Sequence, residues 1–308
     1  MGSGRGAFKA DLLLLVTAMI WGFAFVAQRC GMAIIGPFAY SAARFALGAL
    51  ALVPLLVLSR RRAARKPAPY PALPLGRRLA WAGLAGLVLF AGANFQQVGL
   101  VYTTAANSGF ITSLYVILVP LMGICFGRHT TLRVWLSALL ALAGLYILSV
   151  GGGFRMAPGD LLVLVGAFFW AGHILVINHL VARMDSLEIA VGQFATCALL
   201  SLAAALLREP APFANLVPAA WPILYGGLMS IGIAYTLQIV AQRTAPPTHA
   251  SIILSMEAFF AALGGVLLLH EPLTLRLVLG GGLLLAALVI SQLGPETQPA
   301  PADGCPQA

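Results

Sequence analysis

The sequence holds 308 residues, of which 60% are hydrophobic and 9% charged, where an ordinary soluble domain carries about 25% charged residues. That leaves too little polar surface to cover a water-soluble fold of this length, and the same numbers exclude a collagen, a disulfide scaffold and a disordered chain. The formal charge of +9 has no aromatic platform beyond Tyr70 among its basic residues, so it reads as loop charge on a membrane protein and not as a nucleic-acid surface.

Arg5 and Lys9 precede the first apolar run, as in a secretory signal. The run continues from Leu12 to Ala27, long enough to span a bilayer, so it is read as a first transmembrane helix. Further apolar runs over 37–58, 79–101, 105–126, 132–150, 160–180, 187–207, 217–241, 248–269 and 274–293 bring the expected spans to ten. The runs are continuous, with no period-two alternation, and lipid demands a backbone bonded within each segment. The predicted class is an all-α integral membrane protein. Between the second and third spans lies a basic loop with Arg60, Arg61, Arg62, Arg65, Lys66, Arg77 and Arg78. The stretch from Gly294 onward is Pro-rich and polar, and is expected to be a disordered tail.

The chain repeats itself. Asp11-Leu12-Leu13 opens the first span and Asp160-Leu161-Leu162 the sixth, 149 residues later, and Trp21 and Trp170 each stand ten residues further on. The same offset pairs Phe45 with Phe194 and Arg44 with Gln193. After small loop indels, Trp81 pairs with Trp221, Ser113 with Ser255, Tyr115 with Glu257 and Ser149 with Ser291. The chain therefore divides into a short N-terminal segment 1–10, a first repeat 11–150, a second repeat 160–293 and a tail 294–308. Five spans is an odd number, so the second copy enters the membrane from the opposite face. Inverted repeats are the usual architecture of secondary transporters, with a site near the midplane.

Polar residues inside spans supply the candidate site. Glu257 lies nine residues past Thr248, about 14 Å deep at 1.5 Å per residue. A carboxylate there is costly. It is either a substrate contact or proton-coupling group, or a structural tie between helices. Arg44, seven residues past Pro37, is about 10 Å deep and is assigned a structural or gating role with its equivalent Gln193. Asn94, Gln96 and Gln97 cluster in the third span, with Asn94 and Gln97 on one face. They line a pocket or act as interhelical glue. Trp21, Trp170 and His173 form an aromatic-polar wall or pack in the core. The expected substrate pathway is thus Trp21, Asn94, Gln97, Tyr115, Trp170, His173 and Glu257. Cys30, Cys125, Cys197 and Cys305 show no metal or redox spacing. The glycine runs sit inside apolar spans with no Lys-Ser or Lys-Thr after them, so no metal, nucleotide or other cofactor is expected.

Ser255-Met256-Glu257-Ala258-Phe259-Phe260 leading to His270-Glu271-Pro272-Leu273-Thr274 resembles the closing helix pair of the EamA domain, in the drug/metabolite transporter superfamily. Thr103-Thr104-Ala105-Ala106-Asn107-Ser108 running into Phe110-Ile111-Thr112-Ser113-Leu114-Tyr115-Val116 agrees, as do Trp21-Gly22 and Arg44. The resemblance implies ten helices in two inverted five-helix repeats, a central pocket, and peripheral fifth and tenth helices. Two positions depart from the pattern: His129 where a repeat often carries Glu, and Ala258 where similar sequences often have Pro after the acid.

The expected function is a secondary transporter, working as an exporter of a small organic metabolite or drug, with protons as a further partner. The alternatives are a lipid flippase or a non-transporting sensor, and lastly an intramembrane enzyme, for which no catalytic constellation stands out. The expected location is a bacterial inner membrane; oligomeric state is not legible. With the N-terminus inside, thirteen basic residues fall on the inner side and four on the outer, so both termini are predicted to be cytoplasmic. In a cysteine-free background, single cysteines placed in the 60–78 loop and at Gln298 should resist an impermeant thiol reagent in intact cells and react after lysis. Labelling from outside at either place reverses the orientation.

Overall fold

The computed structural model describes residues 2–63, 73–103, 105–125, 127, 130–149, 157–268 and 274–292. The centre of the basic loop, His129, the His270-Glu271-Pro272-Leu273 motif and the tail lie outside these residues.

Helix is the only regular structure among the described residues, as an apolar setting dictates. The elements are α1 (Gly2–Met32), α2 (Pro37–Ala63), α3 (Leu75–Tyr102), α4 (Ala105–Ser113), α5 (Tyr115–Cys125), α6 (Leu132–Ser149), α7 (Pro158–Leu180) and α8 (Ser186–Arg208). They continue with α9 (Ala220–Leu224), a π-helical stretch Tyr225–Tyr235, α10 (Thr236–Ala241), α11 (Pro247–Leu254), α12 (Glu257–Leu268) and α13 (Leu275–Gln292). Among the described residues seven segments are long and apolar enough to cross a bilayer. The fifth and tenth spans, α6 and α13, are shorter apolar helices, and the ninth is divided into α11 and α12. Helix α1 begins at Gly2, well before the expected start at Asp11, and runs without a break into the apolar segment.

Local chemistry sets several boundaries. Pro37, Pro158 and Pro247 open α2, α7 and α11 at the position where a missing N–H is harmless. Asp185 caps α8, accepting from the amides of Leu187 at 2.9 Å and Glu188 at 3.3 Å. Both ends of α8 are fastened to the first half of the chain. Near its start Glu188 receives the Arg78 guanidinium. After its end Glu209 accepts from the amides of Phe38 at 2.8 Å and Ala39 at 3.1 Å.

The packing pattern maps onto itself when the two halves are exchanged. The first span packs on the eighth and ninth, and the sixth on the third and fourth. The second packs on the seventh, and the fifth on the tenth. Close approaches obey the same exchange. A Cβ at Gly86 would meet the Gln193 carbonyl at 2.7 Å, and one at Gly226 would meet the Tyr40 hydroxyl at 2.9 Å and Arg44 Cδ at 3.3 Å. Gly86 and Gly226, like Gln193 and Arg44, hold corresponding places in the two halves. Five spans per half, an odd number, make the repeats inverted.

The helix breaks also correspond. The fourth span breaks at Leu114, just before Tyr115, and the ninth at Ser255–Met256, just before Glu257. The ninth span therefore breaks with Ala258, not Pro, after the acid. Ser255 Oγ turns back to the Ile252 carbonyl at 2.7 Å, a side-chain bond that competes with the helical ladder.

The α6–α13 pair adds no residue to the central cavity described below and is held by close backbone contact. A Cβ at Gly144 would lie 2.8 Å from the Gly280 carbonyl and 3.1 Å from the Leu284 amide, whereas one at Gly83 would meet nothing within 4 Å. Gly144→Val should lower stability by about 1–3 kcal/mol through overpacking, with Gly83→Val as the control. Melting of the purified protein in detergent checks this, and equal melting of the two variants contradicts the pairing.

Candidate functional site

One cavity opens between the repeats, with about 530 Å³ of space free of protein atoms, its mouth included. Its lining comes from both halves. Helix α1 contributes Trp21, Phe25 and Gln28, and α7 contributes Trp170, His173 and Ile174, each set a stripe at helical spacing. Arg44, Gln96, Thr112 and Tyr115 come from the rest of the first repeat, and Ser230, Tyr235, Gln238, Leu254 and Glu257 from the second.

At the helix breaks Tyr115 Oη donates to Glu257 Oε1 at 3.0 Å. Both residues are buried, and each is the first of its helix. Repeat equivalents that touch must lie beside the axis relating the repeats, and Phe45 and Phe194, with ring centroids 6.2 Å apart, do the same.

The aromatic wall centres on Tyr235. Its ring lies 4.5 Å from that of Trp21, 6.1 Å from Trp170 and 6.0 Å from His173. The equivalent indoles find different partners: Trp21 Nε1 donates to the Ser230 carbonyl at 3.2 Å, and Trp170 Nε1 to Gln96 Oε1 at 3.1 Å. Ser230 belongs to the π-helical stretch, whose Ala234 carbonyl also accepts from Thr17 Oγ1 at 3.1 Å. Widened turns of this kind frequently mark functional sites. His173 Nε2 shares a hydrogen bond of 2.8 Å with Gln193 Oε1.

Arg44 is 4% exposed. Its guanidinium carbon stands 5.3 Å from the centre of the Tyr40 ring and 4.9 Å from that of Phe45. Its Nε is buried without a partner among the described residues.

Of the seven residues expected to line the pathway, the structure brings five to the cavity: Trp21, Tyr115, Trp170, His173 and Glu257. Asn94 and Gln97 it places elsewhere. Asn94 Nδ2 donates to Ser201 Oγ of α8 at 3.0 Å, and Gln97 is fully buried with neither amide atom bonded among the described residues. Gln96, one residue and about 100° around the helix, faces the cavity instead. Arg44, expected as structural or gating, lines the cavity, and Gln193 reaches it through His173. Sequence reasoning passed over Phe25, Gln28, Thr112, Ser230, Tyr235 and Gln238. Helical spacing from Trp21 picks out Phe25 and Gln28, and the step from Tyr235 to Gln238 is three residues. No group of three or more potential metal ligands occurs among the described residues.

A sequence model of the EamA-like transporter family matches residues 8–150 and 157–292. The chain belongs to this family, and it is a multi-pass membrane protein of a transporter family. An uncharacterized transporter of Archaeoglobus fulgidus is 31% identical over 293 residues, covering 92% of this chain and 86% of the relative. The uncharacterized transporter YoaV of Bacillus subtilis is 24% identical over 292 residues, covering 92% and 96%. A solved crystal structure superposes with a TM-score of 0.75 at 21% identity, covering 92% of this chain and 96% of that one, which supports the fold.

The lining can be mapped chemically. In a cysteine-free background, Gln28→Cys and Gln96→Cys should react with a small water-soluble methanethiosulfonate, while Asn94→Cys and Gln97→Cys stay protected. Reaction at Asn94→Cys or Gln97→Cys with none at Gln96→Cys would put the wrong face of α3 on the cavity.

Proposed function

We propose that this protein is a secondary transporter that moves a small organic solute outward across a bacterial inner membrane by alternating access, with both termini in the cytoplasm. The cavity between inverted repeats is where such carriers hold their substrate. Family membership and the excess of basic residues on one side support the reading. The observation that carries it is the Tyr115–Glu257 bond. It joins equivalent residues of the two repeats at equivalent breaks in their helices, inside the cavity. Rocking one repeat against the other changes this contact.

Glu257 and Tyr115 then divide the work. The Glu257 carboxyl exchanges a proton as its exposure alternates, and Tyr115 holds it between exchanges. A buried acid inside a membrane is a proton-relay group in many carriers. Trp21, Trp170, His173 and Tyr235 form the wall against which the solute rests. Asn94 acts as an interhelical tie through Ser201 in this reading, and Gln193 positions His173.

Glu257→Gln keeps the size and the bond to Tyr115 but cannot titrate. It should fold and insert normally, bind solute, and lose flux driven by a pH gradient in proteoliposomes. Glu257→Ala should lose gradient-driven flux and also melt lower, by about 1–3 kcal/mol, because it leaves the Tyr115 hydroxyl unpaired. A Gln variant whose flux follows the gradient as the parent's does would make Glu257 a structural tie only.

A further inference from the structure

A buried cation without an anion is the feature of this cavity that the transport reading leaves unused. Arg44 is 4% exposed and lies at the cavity wall. Among the described residues no carboxylate oxygen comes within 4.0 Å of its guanidinium. Its buried Nε has no acceptor among them. Two aromatic rings, Tyr40 and Phe45, attract its charge, but they do not accept its in-plane N–H bonds. An uncompensated charge in a low-dielectric interior is expensive, and an arginine fork matches a planar two-oxygen acceptor in particular.

The other polar groups of the cavity do not meet that need. Glu257 accepts from Tyr115, and His173 is engaged by Gln193. The Gln28 and Gln238 side chains each keep a buried amide oxygen without a partner among the described residues. Beside this cationic point stand the Trp21, Trp170 and Tyr235 rings, a surface for an apolar or planar body.

We propose that the cavity is an organic-anion site: Arg44 takes the carboxylate of the solute by paired N–H···O bonds, and the Trp21–Tyr235–Trp170 wall takes its apolar body. The inference rests on the transport reading and adds the substrate class to it. It also assigns the repeat asymmetry a purpose. Gln193, the neutral equivalent of Arg44, serves His173, so the cavity holds one cationic anchor and orients the solute one way.

The probes are 3-phenylpropionate, its amide and 3-phenylpropylamine, three compounds of one shape that differ in charge. Their binding to the purified full-length protein is measured by isothermal titration calorimetry. The acid should bind, and the amide and amine should bind about 10- to 100-fold more weakly, the range for a hydrogen bond to a charged group. Arg44→Gln should bring the acid down to the level of the amide. Arg44→Lys should restore part of the difference, since it returns the charge without the fork. Arg44→Gln should also raise the melting temperature of the ligand-free protein by removing an unpaired charge, a shift opposite to that of a structural tie. Equal binding of the three probes, preference for the amine, no binding of the acid, or unchanged acid affinity in Arg44→Gln would each overturn the anion site. Counterflow in proteoliposomes separates the two readings. An acid that binds through Arg44 but never crosses removes the transport reading and leaves the anion site. Flux of amine or neutral solutes that is indifferent to Arg44→Gln removes the anion site and leaves transport.

Discussion

Tyr115 and Glu257 hold corresponding places in the two halves of the chain, and they meet each other across 3.0 Å. In hydrocarbon neither could be left alone: a phenol without a partner costs desolvation, and a carboxyl costs more. Pairing across the halves satisfies both at once. It also places them where α5 and α12 begin, because a helix break exposes backbone polar groups that are tolerable only at a cavity or inside protein. The breaks, the cavity and the contact between repeats therefore share one position, and the rest of the bundle is arranged around it.

The scaffold is symmetric in its backbone and asymmetric in its chemistry. Exchange of the halves preserves which helices touch, down to the paired glycine approaches at Gly86 and Gly226. The side chains placed on that scaffold differ. Trp21 donates to a backbone carbonyl of a π-helical stretch, and Trp170 to the side chain of Gln96. Arg44 faces the cavity as a cation where Gln193 offers an amide. A duplicated five-helix unit thus yields a pocket with distinguishable ends, which a symmetric pocket could not offer to an asymmetric solute.

Much of the fold was legible because the bilayer leaves few options. Continuous apolar runs give the spans, and the Asp-Leu-Leu and Trp spacings give the repeat. The odd number of spans then gives inversion without any reference to side-chain contacts. The site was legible in part. Trp21, Trp170, Glu257 and Tyr115 announce themselves by depth and by pairing in the repeat. Asn94 and Gln97 stood open between pocket lining and a helix contact, because helical spacing says which residues share a face but not what that face meets; Ser201 on α8 partners Asn94. Gln28 and Gln238 were hidden by position, since an amide near the end of an apolar run reads as interfacial. Tyr235 was hidden by type, since an aromatic in a span reads as packing. The π-helical stretch has no signature in the apolar pattern at all.

The repeat also places equivalent acids at opposite ends of the bundle. Asp11, near the start of the first span, meets His249 at 2.8 Å, and His249 is held by Ser291 at 3.2 Å. Asp160, near the start of the sixth, accepts from Thr103 Oγ1 at 2.5 Å and from the Ala157 amide at 2.6 Å. The first set ties α1 to α11 and α13 at one end, and the second ties α7 to the end of α3 at the other. In the transport cycle proposed above, opening an end gives up the bond between helices in its own set, His249–Asp11 at one end and Thr103–Asp160 at the other. A bond to a charged group contributes about 1.5–3 kcal/mol. A solute needs a preference of only that size for one conformation over the other to shift the equilibrium. An arginine whose charge is met only when the cavity is filled is a group able to supply it.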